Sequence, residues 1–113
     1  MSIGGTTIAQ LQVKSGTVTN AIGEKVTEWK TMYTIAGWLD LSAGESRYST
    51  YNAKIQESTH VFISDWVRLD AEAENSRMII NNKLYDVLLI DNPMEMNRQL
   101  EIYLRYVGGQ NGT

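Results

Sequence analysis

A chain of 113 residues lies near the middle of the domain-size range, enough for one domain burying about 65% of its unfolded surface and too short for a second. Ten Lys and Arg against thirteen Asp and Glu leave a formal charge of -3, which argues against tight, sequence-independent nucleic-acid binding through phosphate neutralisation. With no cysteine and one histidine, His60, the chain has no disulfide framework, thiolate nucleophile, zinc-thiolate site or His-rich metal cage. Met1 to Thr7 lack the basic segment and apolar run of a signal peptide, and no stretch approaches the ~18 apolar residues that span a bilayer. A soluble, intracellular protein with no membrane partner is expected.

Val, Ile, Thr and the aromatics supply 37 of the 113 residues, side chains suited to a pleated, half-buried surface. From Thr6 to Lys14, Ala9, Leu11 and Val13 alternate with Ile8, Gln10 and Gln12, which predicts a first strand burying the Ala-Leu-Val face. Ser15 to Glu24, rich in Gly, Thr, Ser and Asn, reads as a turn region or mobile hairpin loop. Lys25 to Leu41 is a second extended region, with the strand proper from Met32 to Leu41. Val26 and Trp29 lead into it, and Ile35, Gly37, Leu39 and Leu41 lie opposite Ala36 and Trp38.

Ser42 to Glu57 is polar and fits neither period, and its sixteen residues exceed an ordinary connection. It is read as a long functional or mobile loop. Thr59 to Trp66 alternates Val61 and Ile63 against His60, Phe62 and Trp66, a strand apolar on both faces. Asp70 to Asn75 is an acidic connector with room for one short helical turn.

Arg77 to Ile80, Asn81-Asn82 and Leu84 to Ile90 predict a tight hairpin, since Asn tolerates the positive φ that two-residue turns demand. After Asn92-Pro93 and a polar bridge, Leu100, Ile102, Leu104 and Tyr106 alternate with Glu101, Tyr103 and Arg105 in a last strand. Tyr85, Val87 and Leu89 are expected to bury with Leu100, Ile102 and Leu104. Gly108 to Thr113, like residues 1–5, reads as a flexible end. Six strands without a helix predict an all-β single domain, a small antiparallel barrel or sandwich with a long inserted loop.

No catalytic constellation emerges, so an enzyme is not expected, and neither is a cofactor. His60 lacks a nucleophile elbow beside it and reads as a half-buried, hydrogen-bonded strand histidine. Asp70, Glu72 and Glu74 read as a solvated patch and not as glycosidase carboxylates or a calcium loop, lacking the central glycine and twelfth-position Glu of an EF-hand. Trp66, Tyr103 and Tyr106 are candidates for a nucleic-acid stacking platform, but no basic groove accompanies them, and core or cross-strand packing accounts for them more simply. Tyr48 and Tyr51, aromatics in a polar loop, either reach toward a partner or fold back on the barrel.

The stretch SRMIINNKLYDVLLIDNPMEMNRQLEIYLRYV resembles the closing half of phage head-tail joining proteins, the small neck family that includes the head-closure or stopper proteins of long-tailed phages. The matching order is Arg77 entering a strand, the Asn81-Asn82 turn, a Tyr-x-Val strand at Tyr85 and Val87, Arg98, and the alternating strand of Leu100, Ile102 and Tyr103. Trp29 before an Ile-x-Gly-Trp-Leu strand, then Leu41-Ser42 and Glu45 opening a long loop ahead of Val61-Phe62-Ile63, continues it. The likeness runs from about Leu11 to Val107 and departs in the first segment. It implies a barrel assembled as a homo-oligomeric ring in the virion neck, built in the host cytoplasm, with portal or adaptor and tail-completion proteins as partners. DNA passes without specific binding, and an acidic lumen keeps it from sticking. In stopper members the long loop faces the channel, which by position points to Arg47, Tyr48, Tyr51 and Lys54. An adaptor or tail-completion role in the neck, or a small OB-like nucleic-acid-binding barrel, stands as the alternative.

Overall fold

The computed structural model describes residues 6–41 and 57–109. Six strands, β1 (Thr7–Thr19), β2 (Lys25–Leu41), β3 (His60–Asp65), β4 (Ser76–Ile80), β5 (Lys83–Asp91) and β6 (Gln99–Gly109), close a barrel in the order β1-β2-β3-β6-β5-β4. Every neighbouring pair is antiparallel. The chain is therefore all-β and antiparallel as its alternation led one to expect, and of the two architectures open to it, barrel or sandwich, it takes the closed barrel.

Ala9, Leu11, Ile35, Phe62, Met78, Ile80, Tyr85, Val87, Leu100, Ile102 and Leu104 fill the interior. The period-two face of β6 is buried as expected at Leu100, Ile102 and Leu104, with Ile102 between Phe62 of β3 and Ile90 of β5 in register. The β4–β5 turn follows from its two asparagines, Asn81 at φ 52° and Asn82 at φ 62°, the paired left-handed conformation of a hairpin turn that matches strand twist.

Several expectations need correction. Ser15 to Glu24 is not a loop throughout: β1 continues to Thr19 and pairs with β2 down to Thr19 opposite Lys25. Only Asn20 to Glu24 turns. Its side-chain Oδ1 accepts from the Ile22 and Glu24 amides at 3.1 and 2.9 Å, the local bonding that makes Asn a turn former. The register slips at Ser15 and at Met32, two bulges placed where this hairpin leaves the barrel. Gly16, at φ +128°, adopts at the first of them a conformation that side chains rarely take.

In β5 the register slips again between Val87 and Leu89. The inward face therefore passes from Tyr85 and Val87 to Ile90, which packs on the core in place of the expected Leu89. Val13 and Leu39 are only half-buried and Leu41 is 74% exposed, because β1 and β2 run past the core at opposite ends. Gly108 and Gly109 belong to β6, paired with Leu84 and Lys83, so the expected flexible tail does not begin at Gly108.

One glycine is set by close packing. A methyl on Gly37 would collide with the Ile63 carbonyl oxygen and stand 2.9 Å from Phe62 Cζ, so β2 passes over β3 only because this side chain is missing.

Candidate functional site

The register sorts the barrel into two unlike ends. At one, the described chain stops at Thr6, at Leu41 and Glu57, and at Gly109, beside the Asn81-Asn82 turn. At the other lie the β1–β2 hairpin, the β3–β4 connector and the β5–β6 connection.

The first end carries an aromatic rim. Tyr85 and Tyr106 are register partners across β5 and β6, with centroids 5.5 Å apart, and His60 meets the Tyr85 ring edge-on at 5.2 Å. Thr59 ties this rim to β6: its hydroxyl oxygen accepts from the Tyr106 amide at 2.8 Å and lies 2.8 Å from His60 Nδ1. The Thr59 hydroxyl has two acceptors in reach for its one proton, His60 Nδ1 and the Leu104 carbonyl at 3.5 Å, and which of them takes it sets the imidazole tautomer. Burial, together with the Tyr106 neighbour, pushes the Tyr85 phenol up. His60 is thus half-buried and hydrogen-bonded on its strand, as expected.

At the second end the β1–β2 hairpin extends as an arm. Val18 pairs with Val26 on the arm face that continues the barrel interior, 43% and 40% exposed, and Ile22 at the turn is 79% exposed. A two-stranded ribbon showing apolar side chains without a core behind it is marginal by itself. Beside its base, Val13, Leu69, Asp70, Ala71, Glu72 and Asn75 line an open cleft of about 520 Å³.

The acidic connector makes one wall of that cleft. Leu69, Ala71 and Ala73 pack on the core, while Asp70, Glu72 and Glu74 point to solvent, so the alternating acids are the wet side of a segment that plugs the barrel. Tyr33 Oη accepts from the Asp70 amide at 2.9 Å and the Ser76 hydroxyl donates to the Glu72 carbonyl at 2.6 Å. The short helical turn expected here is a 3-10 turn at Ala73–Asn75. Among the described residues no group of three or more His, Asp or Glu is arranged to hold a metal ion.

Two clusters lie on the outer wall. Arg77 stacks 4.4 Å from the Trp29 centroid and Lys14 reaches it at 5.9 Å. Arg77 Nε donates to Gln12 Oε1 at 2.8 Å, and Gln12 Nε2 in turn donates to Thr31 Oγ1 at 3.1 Å. Burial lowers the Arg77 pKa. On the β5–β6 wall Asp91 stands opposite Glu101 in register. Burial first, then the Glu101 charge, raises the Asp91 pKa, with the Asn92 amide opposing. Glu101 accepts from Gln99 and from the Tyr103 hydroxyl at 2.6 and 3.0 Å. Burial and these two carboxylates push the Tyr103 phenol up to about 12.

The candidates for a stacking platform are not gathered into one face. Trp66 packs against the core, Tyr103 is tied to Glu101, and Tyr106 belongs to the His60 rim. The channel-loop candidates Arg47, Tyr48, Tyr51 and Lys54 lie outside the described residues. The rim, the arm and the Trp29–Arg77 stack had no signal at short spacing, since each joins residues from separate strands.

No family model and no curated protein matches the chain. Among solved structures it is similar to the solution structure of protein SF1141 from Shigella flexneri 2a, at 16% identity and a TM-score of 0.57, over 92% of this chain and 94% of that one. At such identity the likeness carries the fold alone. No helix among the described residues is long and apolar enough to cross a membrane.

Proposed function

We propose that the chain is a structural protein of the phage neck, joining head to tail or closing the head as one subunit of a ring between the portal or adaptor and the tail. One observation carries the reading: the barrel is two-ended, with an uncovered apolar arm at one end and, at the other, the mouth where β2 ends at Leu41 and β3 begins at His60. Closure of the sheet leaves no barrel edge for assembly, so exposed apolar side chains are the surface left for partners. The charge agrees with DNA passage, because the formal charge of -3 repels a polyanion sliding by. The finer reading, that 42–57 with Arg47, Tyr48, Tyr51 and Lys54 faces the channel, rests on the resemblance and on sequence position.

The test is a phage encoding this chain with its gene deleted. DNA-emptied, tailless heads, rescued by supplying the chain in trans, are expected, whereas tailed, filled virions in its absence overturn the reading. Replacing Gly44 to Lys54 by a short Gly-Ser linker probes the finer part: heads should form and then lose DNA, and retained DNA with normal tails removes the channel role.

A second reading, the small OB-like nucleic-acid-binding barrel, has one specific feature in its favour: Trp29 flanked by Arg77 and Lys14, an aromatic with two cations at its face. It requires salt-dependent binding of a labelled single strand, lost on Trp29→Ala.

A further inference from the structure

Two outer walls of the barrel carry charge of opposite sign that nothing in the described chain answers. On the β1–β4 side, Lys14 and Arg77 share the Trp29 ring. Gln12 and Thr31 lie on the same outer face, whereas Glu28, next to Trp29 in sequence, falls on the other face of the ribbon opposite Gly16. Asp86, opposite Arg77 in register, is held by Arg105 at 3.1 Å. The Arg77 guanidinium is fixed through its Nε bond to Gln12, itself bonded to Thr31. Among the described residues neither Arg77 nor Lys14 has a carboxylate in ion-pair reach.

On the β5–β6 side the reverse holds. Asp91 and Glu101 face each other across the two strands, a like-charge pairing that destabilises a sheet, and the charges acting on Asp91 and Tyr103 are those of carboxylates. Gln99 Nε2 and Tyr103 Oη donate to the two Glu101 oxygens, which orients that carboxylate without neutralising it. Leu89 and Tyr103, partners in register on the same outer face, give this wall an apolar part, as Trp29 does the other. A locally unfavourable pairing kept on a rigid wall is the kind of departure that marks a functional surface. The two patches cannot meet within one chain: Arg77 lies beside Asp86, and the stretch of β5 from Asp86 to Asp91 puts roughly 15 Å of fixed strand between them.

We infer that the Lys14–Trp29–Arg77 patch docks on the Asp91–Glu101 wall of a second copy of this chain, Arg77 and Lys14 reaching the two carboxylates and Trp29 lying against Leu89 and Tyr103. A nucleic acid would meet the same cations, but Arg77 already lies over the Trp29 ring and leaves less of it for a base to stack on, whereas the carboxylate pair lacks what this patch supplies. The contact is heterologous, using two different patches on each subunit. The β4–β1 and β5–β6 walls are neighbours around the six-strand ring, so the patches point in different but not opposite directions. Successive subunits therefore turn relative to one another, as a closed ring requires. This deepens the neck reading and rests on it for the closed ring; the docking itself is a property of the purified chain. The surface is small and charged, so association is weak in dilute solution and weaker in salt.

The test uses the unaltered full-length chain, mixed with its heavy-isotope-labelled form and treated with a carbodiimide, which joins an amine to a carboxylate where the two touch. Among links between labelled and unlabelled chains, Lys14 to Asp91 and Lys14 to Glu101 are expected to dominate. Lys14 joined mainly to other carboxylates, Asp70 and Glu72 among them, overturns the proposal, as does a chain that stays monomeric by light scattering at the highest concentration it tolerates. Lys14→Glu and Glu101→Lys should each weaken association roughly two- to five-fold, the range of an exposed charge pair. The double variant, which only exchanges the two charges, should recover it, and weakening without recovery overturns the pairing. A labelled single strand bound through Lys14 while the chain alone stays monomeric assigns the patch to nucleic acid and likewise overturns the proposal. The two readings fail separately: filled, tailed virions without the chain remove the neck role and leave the cross-link standing, and absence of the Lys14 cross-links removes the docking whatever the virions show.

Discussion

Ile102→Ala tests whether the closed barrel is the source of stability. Ile102 is fully buried, with Phe62 on one side and Ile90 on the other in register. Its truncation removes three carbons, worth about 2.4 kcal/mol at ~0.8 kcal/mol each. The void cannot collapse easily, because both flanking strands are pinned by their own ladders, and the cavity term brings the expected loss to about 3–4 kcal/mol, within the range for large-to-small core changes. Ile22→Ala deletes the same atoms from a side chain 79% exposed and should cost less than about 0.5 kcal/mol. Urea unfolding followed by fluorescence of Trp29, Trp38 and Trp66 measures both midpoints, with an unchanged slope marking a pure stability effect. A loss below about 1 kcal/mol at Ile102, or equal losses at the two positions, would refute the packing argument.

Gly37→Ala should destabilise by about 1–3 kcal/mol, as overpacking does, since the Ile63 carbonyl and the Phe62 ring occupy the methyl's space; an unchanged melting temperature contradicts the close approach of β2 and β3. Asn82→Val forces a β-branched side chain into φ 62° and should cost about 1–2 kcal/mol, while a neutral result would mean the turn relaxes freely. Asp91 has a folded pKa raised above 3.8, by burial and by Glu101, so the folded state binds more protons than the unfolded one in that window. Stability therefore falls as pH rises from about 3.8 through the folded value. Asp91→Asn should raise the melting temperature at about pH 7 and lose the advantage in acid, below both values; an equal difference at both pH values rules out the charge as its cause.

Legibility in the sequence followed the range of the interactions. The Asn81-Asn82 turn and the alternation from Leu100 to Leu104 are local, and both were readable because one depends on two residues' φ and the other on a single face. The arm was not. Ser15, Gly16, Thr17 and Asn20 carry turn propensity, yet pairing with Lys25 to Glu28 supplies the backbone bonds that hold Thr17 to Thr19 extended. The β5 bulge was hidden because Val87, Leu88, Leu89 and Ile90 are all apolar, so no alternation marks where the inward face changes. Leu69-Asp70-Ala71-Glu72-Ala73 alternates strictly, but two of its three inward residues are alanines, too small to give the strong apolar face that marks a buried segment. Of the candidate site, the bonded state of His60 followed from its position on a strand, whereas its Tyr85 and Tyr106 neighbours come from strands 25 and 46 positions onward and leave no pattern near it.

The arm's construction also opposes strand addition at its edges. β4 begins opposite Val13 and β3 pairs with β2 only from Trp38 to Leu41, so most of the arm's strand edges face no neighbour from this chain. An open edge invites strand addition, and proteins commonly suppress it with charge and with bulges. Lys14, Lys25, Glu28 and Lys30 are spread along these strands, and the bulges at Ser15 and Met32 twist both of them where the arm starts. Both devices oppose edge pairing, and neither hides the Val18–Val26 face. The arm therefore keeps its apolar side chains exposed while its charges and bulges resist continuation as sheet.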